Sequence, residues 1–183
     1  ASASIPWGMP GRPSYTVTPL IDRRKMLLSL LPSIVILGLA ALAAVYQTLT
    51  YRPRPDSRAA IALAIAVCIQ ATHFTEEALT DFPGRLGGLL GIPAMPMSFF
   101  VTFNLCWLGI WAASIYGLRS GKPWAFFGAW CLSIAGIING LAHPGLAIAA
   151  DAYVPGRATS PFIGAAGIWL ARRLKHATSP RPT

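Results

Sequence analysis

Charge is what this chain has least of. Six Asp and Glu residues and 15 Lys and Arg residues make a charged fraction of 11% over 183 positions, against about 25% in soluble domains. With 54% hydrophobic residues and a positive mean hydropathy, this composition excludes an ordinary water-soluble globule. Cysteine is scarce as well: Cys68, Cys106 and Cys131 fall inside apolar runs at unrelated spacings, which implies neither a disulfide framework nor a thiolate-ligated metal. No internal repeat and no low-complexity block is present. The Gly- and Pro-rich stretch FPGRLGGLLGIPAMP lacks the Lys-Ser/Thr ending of a phosphate loop, which argues against phosphate binding by that device. It reads as an apolar loop that dips into the membrane interface or covers a site.

Long apolar runs, by contrast, are plentiful. Met26 to Tyr51 and Met97 to Leu118 carry no charge, Ala59 to Thr75 leads into a polar cluster, and Trp124 to Ala150 holds only His143. Each is near the ~20 residues that cross a ~30 Å hydrocarbon layer. A fifth run, Ala158 to Ala171, is shorter, and Pro161 near its start suits a first helical turn. The fold class is therefore an all-α integral membrane protein, a bundle of about five transmembrane helices, four long and one short. A fifth helix lying in the interface without crossing is the alternative. The lipid bilayer is the expected partner, and Gly136 and Gly140, at GxxxG spacing, suit close helix contact.

The net charge of +9 does not point to nucleic acid, because the basic residues flank the runs. RRK at 23–25, RPRPDSR at 52–58, RSGK at 119–122 and RRLK at 172–175 are headgroup anchors and topology signals. The charge count favours by a narrow margin a site on the outer face, while the RRK triplet pulls the other way.

The chain divides into three segments: an extended Pro-rich tail over 1–25, the bundle over 26–174, and a basic tail over 175–183. DRRKMLLSLL resembles a twin-arginine or secretory signal, but we read it as the start of the first span. The tail before it, with Trp7 and Tyr15 among Pro, Ser and Gly, does not fold alone. Contact with another membrane-protein subunit or with a lipid surface is expected to hold it.

Against this apolar background the run AVCIQATHFTEEAL stands out. Ionisable groups near bilayer depth are costly, so His73, Glu76 and Glu77 mark a functional site. With a rise of about 1.5 Å per residue, His73 lies about 21 Å and Glu77 about 27 Å along the second span, Asn104 about 10 Å inside the third, and Asn139 and His143 about 22 Å and 28 Å along the fourth. Because successive spans run in opposite directions, all five converge on one membrane face. On a helix Glu76 and Glu77 both flank His73, Asn139 sits one turn from His143, and Gln70 continues the stripe. Each helix thus turns one polar face to the interior, which is how sites between bundle helices are built.

His73-Phe74-Thr75-Glu76-Glu77 resembles the naming motif of the HXXEE family of small bacterial membrane proteins, and Asn139-Gly140-Leu141-Ala142-His143 is similar to its second motif, NxxxH. Tyr153-Val154-Pro155-Gly156, with Thr159 shortly after it, is similar to the family's sequence on the C-terminal side of that motif. The resemblance covers about 59–174. It implies a membrane enzyme without an established reaction, in the bacterial inner (cytoplasmic) membrane.

The residues themselves support a divalent metal centre, with His73, Glu77 and His143 as ligands, Glu76 as a further carboxylate, and Asn104 and Asn139 orienting them or a bound water. His and carboxylate donors without thiolate suit Zn, Fe or Mn. Hydrolysis or oxidation of a lipid-like or isoprenoid-like molecule are the reactions open to such a centre. A metal-free version uses Glu77 as general base and His143 as acid. The competing function is a non-catalytic accessory subunit of a respiratory, photosynthetic or transport complex, its polar cluster serving as helix glue. Asp81 is read as a solvated charge, Tyr153 and Arg157 as interfacial anchors or gates, and His176 as solvent-facing.

Overall fold

The computed structural model describes residues 23–180. Six helices are present, in order α1 (Arg23–Thr50), α2 (Ser57–Leu79), α3 (Phe82–Leu90), α4 (Met97–Arg119), α5 (Pro123–Ala150) and α6 (Ser160–His176). Two short strands, β1 (Tyr51–Pro53) and β2 (Thr178–Pro180), complete the elements. Four of the helices are long and apolar enough to cross a membrane: Leu27–Thr50, Ser57–Leu79, Met97–Arg119 and Pro123–Ala150. The chain is an all-α membrane bundle.

Local chemistry sets the helix ends. The Asp56 carboxylate accepts from the Arg58 and Ala59 amides at 2.7 and 2.9 Å, capping the donors that open α2. Pro123 begins α5, where a missing N–H costs nothing. Asp151 closes that helix in the left-handed region at φ 47°.

The helix expected as a fifth, shorter span is not among these four. With 17 residues, α6 rises about 25 Å, and three basic residues, Arg173, Lys175 and His176, fill its last turn. Both ends are nevertheless tied to the ends of the bundle. Its start adjoins the loop after α5, while β2 pairs antiparallel with β1, Tyr51 opposite Pro180, at the junction of α1 and α2. Ala177 also accepts from the Arg54 amide at 2.8 Å. The short helix therefore runs the length of the bundle, and its Ile163, Leu170 and Leu174 are wholly buried against α2 and α5.

Small residues bring α5 and α6 together. A Cβ on Gly140 would lie 2.6 Å from the Gly164 Cα, and one on Gly136 would lie 2.9 Å from the Ile163 carbonyl oxygen. Ser133 adds an interhelical bond, its hydroxyl donating to the Gly167 carbonyl at 2.8 Å. Gly136 and Gly140 thus serve close helix contact, with α6 as the partner. By contrast α1 packs on α5 and turns Leu42 and Leu49 outward, both more than 60% exposed, as a lipid-facing helix does.

Three sequence expectations change here. The Gly- and Pro-rich stretch after α2 is not an open loop: it holds α3, capped by Asp81, whose carboxylate accepts from the Gly84 amide, and closed by Gly91. Asp81 is thus a cap as well as an exposed charge. Three glycines inside α3 weaken its helical signal, which hid start and stop signals that are all present. The boundary at 25/26 moves, because α1 begins at Arg23, and so does that at 174/175, because α6 continues to His176 and β2 lies beyond it. Residues 1–22 of the N-terminal tail, and with them its expected contact with another subunit, lie outside the described residues.

Candidate metal centre

His73 and Glu77 stand one turn apart on α2 and face the bundle interior. Across from them α5 presents His143. The three side chains are buried, and each offers a ligand atom within 4.8 Å of the others. The imidazole rings meet edge to face with centroids 4.9 Å apart.

The segment 151–159 between α5 and α6 decides which nitrogen of each ring is available. His143 Nδ1 lies 2.7 Å from the Pro155 carbonyl oxygen, an acceptor only, so Nδ1 carries the proton. His73 Nδ1 lies 2.7 Å from the Thr159 hydroxyl. That hydroxyl donates its own proton to Glu76 Oε2 at 2.5 Å, so it accepts from His73 and again fixes the proton on Nδ1. In each ring Nε2 is thereby the nitrogen left pointing inward.

Glu77 Oε1 lies 3.3 Å from His143 Nε2 and 3.5 Å from His73 Nε2. These separations exceed the 2.7–2.9 Å of a charge-assisted hydrogen bond. His73 Nε2 is fully buried and has no hydrogen-bond partner among the described residues. Two lone pairs and a carboxylate oxygen facing one another repel unless a proton or a cation lies between them. Ligand atoms about 2.0–2.2 Å from a tetrahedral ion stand about 3.4 Å apart, and the two observed distances match that edge. The group can hold a metal ion. Its outer contacts suit one too, since metal-bound imidazoles donate their other N–H to carbonyls or carboxylates.

Glu76 has a different place from Glu77. Its Oε1 accepts from Tyr153 Oη at 2.6 Å and the Ala158 amide at 3.1 Å, and its Oε2 from the Thr159 amide at 2.9 Å and the Thr159 hydroxyl. With those four bonds it faces the loop and not the three-residue group. It ties that loop to α2 and reaches His73 only through Thr159. Tyr153 is half-exposed and outside the spans; its bond to Glu76, and then burial, hold its phenol above the usual value. Arg157 is exposed and His176 faces solvent.

Gly156 sits where the loop crosses the two imidazoles. Its φ is +84°, and a Cβ there would lie 2.7 Å from His143 Cε1 and 2.9 Å from His73 Cε1. Only a residue without a side chain both adopts that angle and clears the rings.

A cavity of about 180 Å³ opens on this group, with Glu77 and His143 in its wall. His73 lies behind them. Gln70, Asn104 and Asn139 also line it. The Phe74 and Phe100 rings touch at 5.6 Å, and Gln70 and Asn104 each lie one turn deeper on antiparallel helices, so the amides stand at one level. Asn104 Nδ2 donates to the Phe100 carbonyl at 2.9 Å, leaving its oxygen toward other partners. Phe82 of α3 packs on His143 with centroids 5.4 Å apart and roofs the site.

Sequence reasoning named His73, Glu77 and His143 but not the work of Pro155, Gly156 and Thr159. Their signal was the YVPG-x-x-T string, visible as a motif without a role. Comparison with protein-family models, with curated proteins and with solved structures yields no match to this chain.

Proposed function

We propose that the chain is a metal-dependent membrane enzyme of the HXXEE type, with His73, Glu77 and His143 as the ligands of a divalent cation and a lipid-like or isoprenoid-like molecule as substrate. The observation that carries this reading is the pair of inward-facing Nε2 atoms, each fixed by a bond at its own Nδ1 and both set around Glu77 Oε1. Helix glue needs no such arrangement: it would hydrogen-bond every polar atom, whereas His73 Nε2 has only the 3.5 Å approach of Glu77 and no hydrogen-bond partner among the described residues.

His73, Glu77 and His143 would hold the ion, and two imidazoles with one carboxylate are a donor set that suits Zn or non-haem Fe, and Mn among harder ions. A cation held there would supply Lewis acidity, so hydrolysis and oxidation are the reaction classes that fit. The protein's own groups do the rest. Glu77 keeps a second carboxylate oxygen with which to take a proton, the tier of Gln70, Asn104 and Asn139 orients a polar group beneath the ligands, and Phe82 limits water from above.

The test is turnover of a membrane lipid extract by the metal-supplemented protein, read by mass spectrometry. One amphiphile class should be consumed by the native protein and left intact by His143→Ala. If metal-loaded protein leaves every class unchanged, the enzymatic reading fails.

A further inference from the structure

We propose that the cavity takes an amphiphile with an uncharged polar head, a hydroxyl, ester or amide and not a phosphate, held by Gln70 and Asn139 and admitted sideways from the bilayer between α1 and α4. This rests on the reading above of a lipid-like substrate and narrows its head group.

Two unpaired amides argue for the head. Gln70 is 5% exposed and lines the cavity with Asn139, and neither carboxamide has a hydrogen-bond partner among the described residues. The Gln70 amide is not sealed in the packing, for its nitrogen and oxygen keep accessible surface and the cavity is what they face. A polar group left unpaired at bilayer depth is costly, because water is scarce there. Each carboxamide offers two N–H donors and a carbonyl acceptor, so together they meet a head that donates, accepts or does both.

Charge on the wall points the same way. Among the described residues no Lys or Arg lines the cavity, and Glu77 is its one carboxylate. A phosphate at the amides would give up its hydration close to an anion and gain no basic side chain in return. Beyond the amides the wall turns apolar, with Ile36, Leu37, Trp107, Trp111 and Ala135, which suits a tail.

The entrance is set by how the helices pack. α1 lies against α5 and α4 against α2 and α5, while α1 and α4, which both line the cavity, do not pack closely on each other. At the membrane face the way in is covered. Leu30 of α1 packs there on the cluster of Phe74, Met95 and Phe100, and α3 lays Phe82, Leu86 and Leu90 over the same end. Below that cover Leu37 on one side and Phe103 and Trp107 on the other are only half-buried, so the open side is the one toward lipid.

Photolabelling of the full metal-loaded chain in phosphatidylcholine nanodiscs tests this, with hexadecanol carrying a diazirine at the chain end and adducts mapped by mass spectrometry. Adducts should fall on the cavity wall and beside the seam, near Leu37 and Trp107, and unlabelled hexadecanol should compete about tenfold better than hexadecyl phosphate. Gln70→Leu and Asn139→Leu, singly and together, nearly keep the volume and remove the amides; cavity labelling should fall about tenfold while that at lipid-facing Leu42 and Leu49 stays constant. Ala135→Phe leaves the amides in place, fills the deep end and should abolish cavity labelling. Equal competition by the two amphiphiles, undiminished cavity labelling in the leucine variants, or adducts confined to lipid-facing positions would overturn the proposal. Lipid turnover is measured on the same preparation. Cavity labelling by hexadecanol without turnover leaves this inference standing and removes the enzymatic reading; turnover of a phosphate-headed lipid does the reverse.

Discussion

His143 gives its Nδ1 proton to the Pro155 carbonyl at 2.7 Å, and that bond, made by a residue twelve positions away, turns the other ring nitrogen toward Glu77. The loop after α5 thus orients both imidazoles, with Glu76 of α2 holding the loop in place. It selects the tautomer.

The same logic at His73 gives a test at Thr159. Thr159→Val keeps the volume and removes the hydroxyl that links His73 to Glu76. Metal affinity should fall about 10- to 100-fold, as when other partners of ligating histidines are lost, while Thr159→Ser should stay near native. Isothermal titration with Zn²⁺ reads the difference. An unchanged affinity in Thr159→Val would mean that the bond does not orient the ring.

Gly156→Ala probes the crossing of the loop over the two rings. The φ of +84° and the short approaches to both imidazoles mean that the methyl group is accommodated only by moving the rings or the loop. Left-handed backbone alone costs about 1–2 kcal/mol for a residue with a Cβ. Thermal unfolding in detergent should shift downward and metal binding should be lost. Native binding in Gly156→Ala would show that the loop is not seated as described.

The α5–α6 seam gives a prediction about the fold. Gly140→Leu places a side chain where a Cβ already meets Gly164 at 2.6 Å, so the helices must separate along the seam that buries Ile163 and the Ser133–Gly167 bond. The stability loss should exceed the roughly 1–3 kcal/mol typical of overpacking. Gly145→Leu, on the same helix with open space around it, should cost far less. Melting temperatures of the two variants compare them directly.

Much of the bundle and its site was legible in the sequence, for an identifiable reason. Charge is so rare in the spans that depth counting at a fixed helical rise placed His73, Glu77 and His143 at one level, and their ligand atoms do lie within 4.8 Å of one another. Apolar run lengths delivered the four long spans for the same reason. The separate places of Glu76 and Glu77 were not legible, because neighbours on a helix differ by about 100° and only the packing partner says which one points inward. Nor was the part played by Pro155, a backbone carbonyl that any residue could supply. Asn104 and Asn139 were marked as orienting groups; in the fold they stand with Gln70 on the cavity wall, a tier that becomes visible only once α2, α4 and α5 are set side by side.

The central claim is that His73, Glu77 and His143 hold an ion, and metal analysis by plasma mass spectrometry on protein purified from metal-replete cells tests it most directly. The native chain should carry about one divalent ion per chain, as a single three-ligand group allows. Glu77→Gln keeps the shape and loses the anionic ligand, so it should lose most of that metal while remaining folded. Glu76→Gln should lose less of it, because that carboxylate is spent on Tyr153, Ala158 and Thr159 and touches the ion's ligands only through the loop. Native protein without metal, or Glu77→Gln with full metal, would contradict the account.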